Sequence, residues 1–174
     1  MRKLFVSVDG SSRGNPGEAS IGAVLTDERG HVVEEVSQSI GRATNNVAEY
    51  KALIEGVRRA AAYAPEEAVF LTDSHLVANQ INGLYKIREP HLQHLNQIAV
   101  ELLAQLPKWR VNYVEREANS AAHRLAELAF RQRAKSEREK AQLRQGIQDA
   151  LQDLTPDQLR KVVAFLQRLH AESA

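Results

Sequence analysis

Asp9, Glu49 and Asp73 are the side chains of this sequence whose type and placement could do chemistry. Asp9 closes the alternating run of Leu4, Val6 and Val8 and precedes a stretch rich in Gly, Ser and Asn. Asp73 closes the short apolar run "AVFLT", and Glu49 falls in the first turns of a long helical pattern. In open sheets with helices on their faces, ligands gather at the carboxyl ends of the strands. Asp9 and Asp73 are expected to meet at that edge, and Glu49 can point back toward it. Three carboxylates at one point repel one another in low dielectric, and their clustering makes sense mainly when divalent cations neutralise them. Hard oxygen donors suit Mg²⁺ or Mn²⁺. Taken singly, each acid has an ordinary explanation: a turn residue before Gly10, an acid complementing a helix dipole, an N-cap beside Ser74.

The elements that must hold these groups are legible from periodicity. Leu4 to Val8 alternates as a strand; "SIGAVL" and "HVVEEVSQSI" read as the next two strands, joined by "DERG" at Asp27 to Gly30. From Asn46 the spacing becomes helical, with Val47, Leu53, Ile54, Val57, Ala60 and Ala61 as the buried stripe and Pro65 closing the element. "AVFLT" reads as a central strand, Ser74 to Ile81 and Pro90 to Leu106 as helices, "RVNYVE" as a strand, and Ser120 to Phe130 as a helix. A meander followed by alternating helices and strands implies an α/β fold with a mixed sheet flanked by helices.

The chain has 174 residues, 43% apolar and 26% charged, enough for one core plus an appendage. It contains no Cys, which removes disulfides, thiolate metal sites and Cys nucleophiles together. No run of about 18 apolar residues and no export leader is present, so a cytoplasmic location without membrane contact is expected. The net charge of +1 hides an asymmetry: 14 basic and 16 acidic residues up to Phe130, 9 basic and 6 acidic after it. The body has no global basic field to attract a polyanion, so cations or local groups must help it do so.

Four ordered segments, "VDGSSRGNPGEASIGAVL", "TNNVAEYKALIEGVRRA", "LTDSHLVANQINGLYKIREP" and "VEREANSAAHRLAELA", resemble the signature segments of type 1 ribonuclease H in its compact bacterial and archaeal form. The resemblance covers residues 1–130. It implies a ribonuclease H-like fold with a five-stranded mixed sheet, and endonucleolytic cutting of the RNA strand of an RNA/DNA hybrid, leaving 5′-phosphate and 3′-hydroxyl ends. It also implies two divalent cations about 4 Å apart, one side activating water and the other stabilising the departing oxygen. Asp9 would bridge them, Glu49 would hold the leaving-group side, and Asp73 would complete the cage. RNA is told from DNA largely by its 2′-hydroxyl. Gly10, Ser11, Ser12 and Asn15 of the first loop, with Asn45 and Asn46, offer close approach, donors and acceptors for it. Arg42, Thr44 and Asn45 resemble the family's pocket for a DNA-strand phosphate.

The sequence also departs from the family pattern. His123 stands where a fourth carboxylate is usual; as a metal ligand it would bring no charge and shift preference from Mg²⁺ toward Mn²⁺. The stretch from Ile81 to Pro90 is too short for a basic protrusion, and "EREAN", Glu115 to Asn119, replaces a loop that carries a product-release His. Glu115 and Glu117 are candidates for part of its work, and His75 is a candidate groove contact.

After the catalytic domain, residues 131–142 read as a charged connector and 143–174 as a helical hairpin extension. The hairpin carries two apolar stripes: Leu143, Ile147, Ala150, Leu151 and Leu154, then Leu159, Val162, Val163, Leu166 and Leu169. Such stripes are expected to pack on the body or on a second copy, giving a homodimer. Two functions follow: an active ribonuclease H, or a non-cleaving hybrid-binding module whose tail recruits a partner. Retention of all three acids favours the enzyme. A junction resolvase would need dimeric DNA recognition, for which no specific loop is seen.

Overall fold

The computed structural model describes residues 2–172. They fall into five strands and five helices: β1 Lys3–Gly14, β2 Gly17–Asp27, β3 Val32–Ala43, α1 Asn45–Ala62, β4 Glu67–Thr72, α2 His75–Ile81, α3 Pro90–Leu103, β5 Trp109–Tyr113, α4 Ser120–Gln152 and α5 Pro156–Glu172. The strands form one mixed sheet in the order β3-β2-β1-β4-β5, with β1 antiparallel to β2 and parallel to β4. No helix is long and apolar enough to cross a membrane among the described residues.

The chain divides into two compact units, one ending at Arg133 and one beginning at Ala134. In the first, the alternation of β1 sends Leu4, Val6 and Val8 to the face covered by α1, where Tyr50, Leu53, Val57 and Phe70 complete a fully buried core. The opposite face receives the start of α4. Ser20 donates to the Ala126 carbonyl at 2.8 Å and Ser37 to the Leu125 carbonyl at 2.7 Å. Gly22 permits this approach, because a Cβ there would lie 2.1 Å from the Ala122 oxygen.

Three expectations need correction. Asp9 does not end its strand, and the stretch from Gly10 to Gly17 is not an open loop: β1 continues to Gly14 and pairs with β2 to the tip, Gly14 opposite Gly17. Gly, Ser and Asn have poor strand propensity, but cross-strand pairing overrides it. What ends near Asp9 is the parallel pairing with β4, at Val8 opposite Thr72, so Asp9 sits where the sheet narrows to a two-stranded ribbon. Second, residues 131–142 are not a connector but the middle of α4. Their Arg, Lys, Glu, Gln and Ala are strong helix formers, and an apolar stripe is not needed to continue a helix already begun. Third, α3 stops at Leu103, short of Leu106.

The second unit holds the distal part of α4 and α5. The turn between them is fixed by a reciprocal cap, in which Gln158 Oε1 accepts from the Thr155 amide at 2.9 Å and Thr155 Oγ1 accepts from the Gln158 amide at 3.4 Å. Leu143, Ile147, Val163, Phe165 and Leu166 stand exposed.

Candidate active site

Asp9, Glu49 and Asp73 offer oxygens that all lie within 4.8 Å of one another. β1 brings Asp9 to the edge where β4 ends, and Asp73 is the first residue after β4. Glu49 comes from the second turn of α1, which Thr44 opens by accepting from the Val47 amide at 3.3 Å. Gly10 sets the spacing between that helix and β1: a Cβ there would lie 2.1 Å from the Ala48 carbonyl carbon and 2.2 Å from the Glu49 nitrogen. The same residue donates its amide to Glu49 Oε2 at 3.1 Å.

Asp9 is 4% exposed and Glu49 7%. Burial, then the neighbouring Asp73 charge, raises the Asp9 pKa above its ordinary value, although the His123 hydrogen bond opposes the shift. Burial, then the charges of Asp9 and Asp73, pushes Glu49 well above its ordinary value. Ordinary packing would not gather negative charge into a place that penalises it. A donor set of three hard, mutually repelling oxygens fits divalent cations, which would remove the repulsion.

Two residues that sequence reasoning missed hold this cluster. Asn119, fully buried, donates Nδ2 to the Val8 carbonyl at 2.9 Å and to Asp73 Oδ1 at 2.8 Å, tying Asp73 to β1. Its role has no periodicity and becomes visible only when β1, β4 and α4 converge. Arg116 places Nη2 at 3.4 and 3.1 Å from the two ring nitrogens of His123 and draws the pKa values of Asp9 and Glu49 downward.

His123 itself stands on the first turn of α4 with Nδ1 3.1 Å from Asp9 Oδ2, a hydrogen bond to a carboxylate of the cluster. His75 stacks on Tyr113 with ring centroids 3.6 Å apart, and the Tyr113 hydroxyl donates to Glu115 at 3.1 Å.

The remaining candidates line the ribbon and the start of α1. Gly10 is buried, and Ser11 lies half-buried beside it. Ser12 donates to the Ala43 carbonyl at 2.7 Å, and the Asn45 amide donates to Asn15 Oδ1 at 3.4 Å. Arg42 donates to the Pro16 carbonyl at 3.3 Å. Thr44 uses its hydroxyl as the helix cap, and Asn46, half-buried, follows in the first turn. These bonds join the ribbon tip to the α1 N-terminus and put Asn15, Arg42 and Asn45 at one exposed corner.

The metal-free protein should lose stability as pH rises. A carboxylate whose folded pKa lies above its unfolded value stabilises the fold fully below the unfolded value, and that stability is lost as pH rises through the raised value. Thermal melts in chelator from pH 8 toward pH 5, read as the difference between wild type and Glu49→Gln, should show wild type gaining on the variant as pH falls. At pH 7.5, millimolar Mn²⁺ should raise the wild-type melting temperature by several degrees. A flat difference curve would mean that Glu49 is not strained by its neighbours.

Comparison with known proteins agrees with this arrangement. The family described as reverse transcriptase-like matches residues 7–129. A Mycobacterium tuberculosis protein named as bifunctional is 43% identical over 135 residues, 77% of this chain. The Halobacterium salinarum ribonuclease HI is 41% identical over 128 residues, 74% of this chain. This chain spans 37% of the mycobacterial protein and 64% of the halobacterial one. Among solved structures, the N-terminal RNase H domain of the mycobacterial protein has a TM-score of 0.71, with 73% of this chain and 98% of that one covered. A compost-derived enzyme, LC11-RNase H1, solved in complex with RNA/DNA hybrid, has 34% identity and a TM-score of 0.72, with 75% of this chain and 99% of that one covered. Carboxylates on β1, α1 and the end of β4, the strand order of the sheet, and matches to full-length ribonuclease H domains lead to one assignment: the chain belongs to the type 1 ribonuclease H family.

Proposed function

We propose that the chain is a metal-dependent endoribonuclease that cuts the RNA strand of RNA/DNA hybrids. The observation that carries this reading is the cluster of Asp9, Glu49 and Asp73, with oxygens within 4.8 Å, at the edge where β1 and β4 part. The three carboxylates would hold Mg²⁺ or Mn²⁺, which supplies Lewis acidity and an activated water at the scissile phosphate.

The protein's own groups do the rest. The Gly10 amide fixes one Glu49 oxygen and Asn119 fixes one Asp73 oxygen, so two of the three carboxylates have an orientation set by neutral donors. His123 orients Asp9 through Oδ2. The exposure of Asn15, Arg42 and Asn45 at one corner supports reading them as contacts for the sugars and phosphates of the substrate, in keeping with recognition by 2′-hydroxyl and shape.

The direct test is a labelled RNA/DNA hybrid incubated with purified protein in Mg²⁺ and separately in Mn²⁺, with duplex DNA as control. Cleavage of the RNA strand alone is expected; folded protein that yields no products in either metal would leave only the hybrid-binding reading.

His123 gives a finer expectation. Its imidazole can turn from Asp9 to a cation, a donor better matched to Mn²⁺ than to Mg²⁺. Mn²⁺ should therefore support faster cleavage, and His123→Asp should narrow the gap between the metals to less than about threefold. Superimposable metal titrations for wild type, His123→Asp and His123→Ala would confine His123 to a surface role.

A further inference from the structure

Beyond Val8 the pairing of β1 with β4 ends, and the strand is carried to its tip by β2 alone. Of the eight residues from Gly10 to Gly17, three are Gly and two are Ser. A two-stranded ribbon of such residues has little stiffness of its own. Its tip nevertheless carries Asn15, whose Oδ1 accepts from the Asn45 amide, and so belongs to the corner read above as a substrate contact. The position of that corner relative to the carboxylates depends on what anchors the ribbon.

Arg13 is the one long side chain in this stretch. Residues opposite each other in the ladder share a face. Arg13, opposite Glu18, therefore lies on the same side as Ser11 and Ser20, the side on which Ser20 donates to the Ala126 carbonyl of α4. There its Nη2 lies 2.9 Å from Glu127 Oε2, and its guanidinium carbon lies 4.2 Å from the centroid of the buried Phe130 ring. The carboxylate opposite it on the ribbon does not compete, because Glu18 faces Arg133 at 3.9 Å. A planar cation that lies on an aromatic face and also pairs with a carboxylate has its orientation set twice. On the other face of the ribbon Ser12 donates to the Ala43 carbonyl at 2.7 Å. Arg13 is thus the contact that joins the ribbon to the helix bearing His123, itself 3.1 Å from Asp9. As a surface pair, with side chains 53% and 32% exposed, Arg13 and Glu127 add little to stability. The use of the contact is geometric.

We propose that Arg13 is a positioning residue for the substrate: by clamping the ribbon to Glu127 and Phe130 it holds Asn15 and the small residues Gly10, Ser11 and Ser12 in register with the carboxylates, in the arrangement that receives the hybrid. This inference rests on the hybrid reading above and deepens it. The Arg13 cation is engaged within the protein and acts through the ribbon, not by neutralising a phosphate.

The test uses the full chain made inactive by Asp9→Asn, with binding of a fluorescein-labelled RNA/DNA hybrid of about 20 base pairs followed by anisotropy over a salt series. Arg13→Met keeps the stem and removes the clamp. It should weaken binding roughly tenfold at 0.1 M salt, because the ribbon must then be ordered on binding, while the salt slope stays within about 0.3 of the parent's. A direct phosphate contact by Arg13 would instead lower the slope by about 0.9. Arg13→Glu sets two carboxylates against each other and should weaken binding at least as much as Arg13→Met. Arg13→Glu/Glu127→Arg restores the pair with its ends exchanged and should return affinity to within about threefold of the parent. In the active background Arg13→Met should raise KM about tenfold and change kcat by less than about threefold. Arg59→Met removes an arginine that likewise faces two carboxylates, Glu34 and Glu55, about 21 Å from Asn45 along α1, and should change affinity by less than about twofold. A slope lower by about 0.9, a swapped pair that binds no better than Arg13→Glu, or an equal loss in Arg59→Met would overturn the clamp while leaving the ribonuclease reading intact. A wild-type chain that neither binds nor cuts any hybrid would overturn that reading and the clamp with it. Thermal melts of every variant beside the parent establish that the sheet is retained, and the swapped pair reads the clamp even where Arg13→Met melts early.

Discussion

Asp9→Asn should reduce hybrid cleavage by at least about a thousandfold while raising the melting temperature of the metal-free protein or leaving it unchanged. The two effects have one cause. Asp9 is buried beside Glu49 and Asp73, and its ionised form is disfavoured by desolvation and by the Asp73 charge. Removing that charge relieves the repulsion, and the neutral amide is close in volume to the carboxylate. The hydrogen bond from His123 to Oδ2 remains available to the amide oxygen. The same change removes the carboxylate at the centre of the proposed cation site, so metal should no longer stabilise the fold. Melting curves with and without Mn²⁺, beside single-turnover cleavage, read both consequences. A variant that retains cleavage within tenfold of wild type would place the chemistry elsewhere, and one that melts well below wild type would show Asp9 to be a structural acid.

Gly10→Ala should be the most damaging change of one methyl group in the first unit. The new Cβ would lie 2.1 Å from the Ala48 carbonyl carbon and 2.2 Å from the Glu49 nitrogen, and both obstacles are backbone. The only relief is for the first turns of α1 to move away from β1. That shift opens the packing of Ala48 and Leu53, and carries Glu49 off the Gly10 amide. A loss of roughly 3 to 5 kcal/mol is expected, a large part of the stability of a domain of this size. Urea denaturation should show a lower midpoint with little change in slope. Cleavage by whatever fraction remains folded should fall about a hundredfold, because a displacement near 1 Å at a catalytic group has that effect. An alanine variant as stable and active as wild type would mean that the helix can approach the strand at a greater distance than the structure shows.

The acids were legible in the sequence because the rule that finds them is geometric: strand ends converge, and a carboxylate at each end has somewhere to meet. The same rule misplaced Asp9 by treating a Gly- and Ser-rich stretch as the end of β1, when pairing with β2 carries the strand five residues further. Local propensity cannot report a partner strand. Asn119 was invisible for a related reason: its amide bonds to Val8 and to Asp73, 111 and 46 residues away in the chain. Residues 131–142 failed differently. Periodic apolar residues mark a helix that is buried on one side, and most of this stretch of α4 is exposed. Composition alone, rich in Arg, Lys, Glu and Gln, held the helical signal there.

The residues that make the site belong to widely separated parts of the chain: Asp9 on the first strand, Glu49 on the first helix, Asp73 after the fourth strand, Asn119 and His123 at the start of the last element of the sheet domain. Seen from the ribosome, this order is a timing device. A nascent chain can expose Asp9, Glu49 and Asp73 and pair β1 with β2, yet it lacks the amide that ties Asp73 to β1 until residue 119 has left the exit tunnel. The carboxylate cluster can therefore take its final, tied arrangement only when the sheet that carries it is nearly complete.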